Sequence, residues 1–418
     1  MTDVSAESPA NLEQATASRS PWQGAADRAE REHWADVATA VSQTLARDVV
    51  QRDRDNTPPH AQIDLLRDSG LTELLIPASL GGRGGHWESA FEATRIIARV
   101  DASTAHLLGY HYLNQACIAF YGHDVERQNR WFRRSIDERL TWSDAFNPVD
   151  PDLSLESDGN GYRLSGFKKF ATGSSVTDIV ITGAPASGGP YDGNLVIIGV
   201  DSRREGVEHL DDWDNIGYRT SDSGSVRFDS VRVTDADVVG VDRGDPFSTV
   251  VTPGVQLLFG NIYLGIAQGA LAQGREVTLA RRGAWFLSTA ERYSDDPLTQ
   301  RTYGDLVSHT AAVEALADSL NRRYDKVVER GDAVTAADRA DLEVAIARLK
   351  VVANDVGLDV ASRIYDVTGA SSTRSGLGLD LHWRNIRTHS LHDPVDYKRV
   401  EVGAHYLLGT VQPISLYT

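Results

Sequence analysis

From Leu342 to Ile364 apolar side chains recur in steps of four and three, at Leu342, Ile346, Leu349, Ala353, Val356, Val360 and Ile364. That spacing brings a residue back to the same side of an α-helix at every turn, and Thr335 with Asp338 supplies a start signal just ahead of it. A helix this long with one apolar side must bury that side against other helices. The C-terminal part of the chain is therefore read as a helix bundle.

Two other textures precede it. From Ala26 to Glu138 the pattern is also helical: Val37, Val41, Leu45 and Val49 follow one another at four-residue spacing, and Ile63, Leu66, Leu71 and Leu75 continue until Pro77. The run Leu80-Gly81-Gly82-Arg83-Gly84-Gly85 has no strand before it and no Gly-Lys-Ser/Thr after it, so it reads as a turn between helices. Between Thr141 and Asp245 the apolar runs become short. Tyr162 to Phe170, Asp178 to Thr182, Asn194 to Val200 and Ser225 to Val233 read as strands, joined by Asp158-Gly159, Gly188-Gly189 and Asp192-Gly193. Residues 1–25 are small and polar without period. The expected division is a flexible leader at 1–25, a helical domain at 26–138, a β domain at 139–245 and a helical bundle at 246–418. The fold class is α+β, mainly α.

Composition removes several functions. Of 418 residues 42 are Lys or Arg and 59 Asp or Glu, a formal charge of −17, with no basic cluster to hold a phosphate backbone; no nucleic-acid partner is expected. The single cysteine, Cys117, cannot form an intrachain disulfide or a thiolate metal site. No basic-then-apolar leader and no sufficiently long apolar run argues for a membrane, so a cytoplasmic protein is expected.

Three stretches carry groups able to do chemistry. In the first, His106 and Tyr110 are four apart and share a helical face, whereas His111 points elsewhere. The second joins Trp142-Ser143-Asp144 to Lys169-Phe170-Ala171-Thr172-Gly173-Ser174, both at strand ends where loops present polar groups. Hydrogen bonding inside a bundle, or turn chemistry, would equally explain either. The third is Trp383 to Pro394, with Arg384, Arg387, His389, His392 and Asp393. Pro394 takes Asp393 out of helical geometry and no glutamate stands as a metalloprotease base, so no metal is expected. Ser390, His389 and Asp393 are too local for a hydrolase triad, and no Gly-x-Ser-x-Gly exists. What remains is two imidazoles beside two guanidinium groups, suited to managing a proton near an anionic cofactor. No strand leads into Gly-x-Gly-x-x-Gly, so there is no dinucleotide-binding unit.

The order of helices, β domain and bundle resembles the acyl-CoA dehydrogenase fold from about residue 26 onward, as do Ile76-Pro77 before Leu80-Gly81-Gly82, Gly166-Phe167-Lys168 before Thr172-Gly173, and Gly265-Ile266-Ala267. Trp383 to Lys398, Trp213 to Gly224 and Asn261 to Gly269 are more specific. They resemble the flavin-dependent monooxygenase branch typified by dibenzothiophene monooxygenase. The resemblance implies reduced FMN supplied as diffusible flavin by a separate NAD(P)H:flavin reductase, O2 as co-substrate, a C4a-hydroperoxyflavin, and oxygenation of a small molecule. Sulfur is the first choice of atom; an amine N-hydroxylase or aromatic hydroxylase is the alternative. It implies a homotetramer, with Trp142, Asp144, Phe170 and Thr172 against the flavin ring, and Arg281 and Arg282 near its phosphate, often across a subunit boundary. His392 is then the acid/base, His389 and Asp393 orient it, and His106, Tyr110 and Trp213 face the substrate. Asp144 and Thr172 depart from the Asn and Ser of desulfurisation enzymes. Dehydrogenation is disfavoured, because the positions that carry its glutamate hold His392-Asp393-Pro394 and Val255. A binding or assembly module that has lost catalysis is the remaining alternative.

Overall fold

The computed structural model describes residues 18–418. Among these, six helices come first: α1 (Arg28–Leu45), α2 (Val49–Asp55), α3 (His60–Asp68), α4 (Trp87–Ala98), α5 (Ala102–Tyr121) and α6 (Val125–Asp137). Eight strands follow: β1 (Trp142–Asp144), β2 (Ser154–Ser157), β3 (Tyr162–Lys168), β4 (Ile179–Ser187), β5 (Leu195–Asp201), β6 (Val207–His209), β7 (Val226–Val233) and β8 (Val238–Asp242). The chain then returns to helices α7 (Val251–Ala280), α8 (Pro297–Val328), α9 (Ala336–Thr368), α10 (Asp380–His389) and α11 (Val395–Leu408).

The apolar stripe predicted from sequence is α9, and Thr335 with Asp338 forms the reciprocal cap at its start. It packs along α7, the most apolar helix of the chain. By length and composition α7 would suit a bilayer, yet 94% of its apolar window is buried inside the protein. Close approach of α5 to α7 depends on Gly109, where a Cβ would come within 2.3 Å of Leu258.

The sheet runs β6-β7-β3-β2-β4-β5-β8, with β1 parallel to β4 from Trp142↔Ile179 to Asp144↔Ile181. Its own core, around Leu164, Val180, Val196, Val200, Phe228 and Val231, is separate from the main helical core. Strand β3 stops at Lys168 rather than at Phe170. The Lys169 N–H is taken by Asp150 Oδ2 at 2.6 Å, and Phe170 then turns to φ 58°, which ends the extended path.

The leader expected over 1–25 needs correction. Residues 1–17 lie outside the described residues, but the segment that follows is docked. Trp22 is buried, its Nε1 donates to the Leu75 carbonyl at 3.0 Å, and its ring meets Trp87 edge-on at 5.2 Å. Arg19 pairs with Asp245 at 2.6 Å and Asp332 at 2.5 Å, pinning this segment to both helical parts of the chain.

Candidate active site

Every residue of α5 is buried, so each polar group on it must find a partner inside the protein or face a cavity. His111 has both partners: Nε2 lies 2.8 Å from the Thr72 carbonyl, and Nδ1 accepts the Trp142 N–H at 3.2 Å. It is a satisfied structural histidine. His106 is equally buried, and neither of its ring nitrogens has a hydrogen-bond partner.

Aromatic and imidazole rings gather around His106. Ring centroids of Tyr110, His389, Tyr218 and Phe259 stand 4.1, 4.7, 5.4 and 5.9 Å away. Phe259 of α7 meets His389 at 4.4 Å and His392 at 4.9 Å, and the two imidazoles stack at 5.6 Å with 20° between planes. Four pieces of chain thus converge: α5, α7, the loop before β7, and the end of α10. Burial pushes His106 down to about 3 and His389 well below its ordinary value. Both are neutral imidazoles near pH 7. Tyr263 Oη donates to the His389 carbonyl at 3.2 Å and sits 2.9 Å from its Nδ1, leaving Nε2 without a partner.

His392 differs, with 32% of its side chain exposed. Its Nδ1 lies 3.3 Å from Asp393 Oδ1, and the same oxygen accepts from Lys350 Nζ at 2.8 Å. Burial alone would raise the Asp393 carboxyl; the Lys350 ammonium and the hydrogen bonds from His392 and Lys350 outweigh it and hold that carboxyl well below the usual carboxylate range. The Tyr417 ring stands edge-on to His392 at 6.0 Å.

The sheet supplies another wall. Thr172 Oγ1 bonds Ser223 Oγ at 2.8 Å, and Ser223 bonds Ser221 at 2.7 Å. Gly173 N donates to the Asp222 carbonyl at 2.7 Å, so the turn after β3 is clamped to the loop before β7. That loop is tied in turn to α10, because Tyr218 N donates to Asn385 Oδ1 at 2.8 Å and Trp213 Nε1 to the Tyr218 carbonyl at 2.7 Å. Phe170 is 59% exposed at positive φ, its ring 6.3 Å from that of Trp213. A large apolar side chain held in solvent at a disfavoured backbone angle makes this turn a candidate ligand surface. Asp144 lies near Tyr110 and Asn114, and burial pushes it up to about 7 against the opposing effect of the Asn114 amide.

Known proteins share the sequence pattern and the fold. The acyl-CoA dehydrogenase N-terminal domain family matches residues 27–138, and the acyl-CoA dehydrogenase C-terminal domain family matches residues 257–397. A probable FMNH2-dependent monooxygenase, SfnC of Pseudomonas putida, is 37% identical over 370 residues, 88% of this chain and 93% of its own length. The chain belongs to the flavin-dependent monooxygenases of the acyl-CoA dehydrogenase fold. Among solved structures, the methanesulfinate monooxygenase MsuC of Pseudomonas fluorescens superposes on this monooxygenase with a TM-score of 0.87 at 34% identity, covering 92% of this chain and 99% of that one. FMN-bound TdsC of Paenibacillus sp. A11-2, a dibenzothiophene monooxygenase, gives 0.87 at 34%, covering 92% and 100%.

A flavin monooxygenase needs flat apolar surfaces for the ring faces and hydrogen-bonding groups for its edges. The exposed Phe170 ring, the Thr172–Ser223 hydroxyl pair and the unpartnered nitrogens of His106 and His389 suit such a group. The structure brings together His106, Tyr110, His389, His392 and Asp393 in one cluster, and joins Phe170, Thr172 and Trp213 through one loop. Trp142 is not brought to this cluster. It is 1% exposed, its ring packs on Trp131 at 5.3 Å, and its Nε1 bonds Ser135 Oγ at 3.3 Å. Arg281 and Arg282 are also elsewhere. They follow Tyr263 by eighteen residues or more along α7, about 27 Å at 1.5 Å per residue. Arg281 donates to the Thr368 carbonyl at 3.1 Å and lies 4.0 Å over the Tyr293 ring, while Arg282 is exposed.

Sequence reasoning did not single out Phe259, Tyr263, Tyr218 or Lys350 in this monooxygenase. Lys350 left the clearest trace: it falls four residues after Ile346 and three before Ala353, a charge at the spacing of the apolar stripe of α9.

Proposed function

We propose that this monooxygenase oxygenates the sulfur atom of a small neutral molecule, a thiophene, sulfide or sulfoxide. The observation that carries the reading is the character of the ring cluster: two neutral imidazoles, the phenols of Tyr110 and Tyr218 and the Phe259 ring, with the nearby lysine committed to Asp393. Such a lining favours an apolar, uncharged molecule. The naming of relatives for dibenzothiophene and methanesulfinate supports sulfur as the atom.

Reduced FMN, when bound, supplies the activation of O2. The protein's part is positioning and proton management. Phe170 would lie against the flavin ring and the Thr172 hydroxyl would meet its polar edge, while Tyr110, His106 and Trp213 would hold the substrate. His392 exchanges a proton through Nε2 while Asp393 accepts from Nδ1 and His389 stacks against it. The buried rings exclude the water that would divert oxygen into hydrogen peroxide. Reductant comes as diffusible flavin from a separate NAD(P)H:flavin reductase in the cytoplasm, and the working form is a homotetramer in which a neighbouring copy brings Arg281 and Arg282 to the flavin phosphate.

Asp144 favours a second reading. A carboxyl poised near 7 would pair with an ammonium group, which suits an amine N-hydroxylase. Turnover under isotopically labelled O2 with a thioether, an amine and a phenol separates the two. Label in a sulfoxide or sulfone is the expected result; label in a hydroxylamine alone would replace the sulfur reading.

A further inference from the structure

Lys350 is a buried cation at the centre of the bundle. Its side chain is 0% exposed, yet it sits midway along α9, on the face turned toward α7. Nζ donates to Asp393 Oδ1 at 2.8 Å and to Gln256 Oε1 at 2.9 Å. It also lies over two aromatic faces, 4.5 Å from the Phe259 centroid and 5.5 Å from that of Tyr263. A flexible ammonium held by two acceptors and two rings has no freedom left to wander. Its acceptor Asp393 is in turn 6% exposed and placed on Nδ1 of His392.

A purely architectural ion pair would need none of this. Replacing a buried pair by well-packed apolar residues is often neutral or stabilising, so retention of a fully desolvated lysine in a helix seam asks for another role. The carboxylate that the lysine fixes is the one that touches the half-exposed imidazole of the cavity. We propose that Lys350 is a positioning residue, which locks the Asp393 carboxylate against His392 Nδ1 and so keeps Nε2 as the proton-exchanging nitrogen. The order is Gln256 and Lys350, then Asp393, then His392, and only the last meets the reacting groups. An anionic acceptor on Nδ1 fixes the Nδ1–H tautomer, as an orienting carboxylate does for any general acid or base histidine. This inference rests on the reading of His392 as the acid/base, and the experiment separates the two.

The primary test needs no flavin. In protein carrying 15N-labelled histidine, assigned by comparison with His392→Gln, the His392 resonances should report a single Nδ1–H tautomer at pH 7.5. An Nε2–H tautomer in the unaltered protein would overturn the proposal without any variant having to fold. In Lys350→Met the same resonances should move to a tautomer mixture, and Lys350→Arg should restore the original pattern. On supply of reduced FMN and substrate, product formed per flavin oxidised should fall about tenfold in Lys350→Met, with the FMN dissociation constant and substrate KM unchanged within about twofold. Lys350→Met that keeps both the tautomer and the coupling would refute positioning by Lys350. Full coupling in His392→Gln, with the tautomer change in Lys350→Met still present, would instead remove the acid/base reading and leave the lysine's action on the imidazole standing.

Discussion

His106 and His111 sit five residues apart on one fully buried helix, and their chemistry is opposite. The first has two orphaned nitrogens beside other imidazoles, the second is closed by a carbonyl and a backbone N–H. The orphaned nitrogens of His106 make it the candidate for function, whereas His111 holds β1 and the segment at Thr72 to α5. His392→Ala is expected to bind FMN as before and to lose product about 100-fold or more, the ordinary worth of a general acid or base, with hydrogen peroxide released in its place. Peroxide and product assays on one reaction check this. Asp144 makes a different prediction. Its folded value near 7 lies above the ordinary carboxylate value of 3.8, so the folded chain keeps a proton that the unfolded chain has released. The stability this contributes is present below about pH 4 and lost as pH rises to 7. Asp144→Asn escapes the loss: its urea midpoint should gain on that of the unaltered protein from pH 5 to pH 7 and keep a constant lead above. A lead that does not change across that range would show that the carboxyl is not perturbed.

At the scale of elements, the sequence was most legible where one face of an element meets one kind of surface. Strands β3 and β7 alternate and helix α9 steps because each has a buried and a more exposed side, whereas β4 and β5 read as short continuous apolar runs because both their faces are covered. Short strands such as β1, β2 and β6 give three or four residues of pattern, too few to separate from a loop. For the same reason α5 and the stretch of α7 up to Ala270 show which helices are central but not which of their residues matter, since nearly every side chain there is buried and no solvent face sets a reference. The site was legible where residues cluster in sequence, at His389 to Asp393. It was hidden where one helix turn donates one residue, as Lys350 and Phe259 do. Loop placement was equally hidden. The loop before β7 meets α10 at Gly217, where a Cβ would stand 2.1 Å from the Arg384 carbonyl oxygen. Gly217→Ala is expected to push the loop off α10, cost about 1 to 3 kcal/mol in unfolding free energy and lower the coupling of flavin oxidation to product. Denaturant unfolding and peroxide assays read both effects.

On the scale of the whole molecule, the described surface carries two exposed apolar stretches. Helix α11 exposes Tyr397, Val400, Tyr406, Leu407 and Leu408, and Trp285, Phe286 and Leu287 stand in solvent beyond α7. These are the surfaces that the proposed homotetramer would cover. Sedimentation equilibrium is expected to give four times the 45.6 kDa chain mass, and Arg281→Ala to weaken FMN binding at least about tenfold without altering the tautomer at His392. A monomer that binds FMN with full affinity would contradict both. In the proposed homotetramer helix α7 carries two duties, since Phe259 and Tyr263 in its first half pack against the imidazole cluster while Arg281 just past its end would face a neighbour's cofactor. Inserting or deleting a single residue between them would turn one end against the other by about 100° and shift it by about 1.5 Å. Evolution is therefore free to exchange side chains along this stretch but not to change its length, and related enzymes should preserve the eighteen-residue interval even where their substrates have diverged.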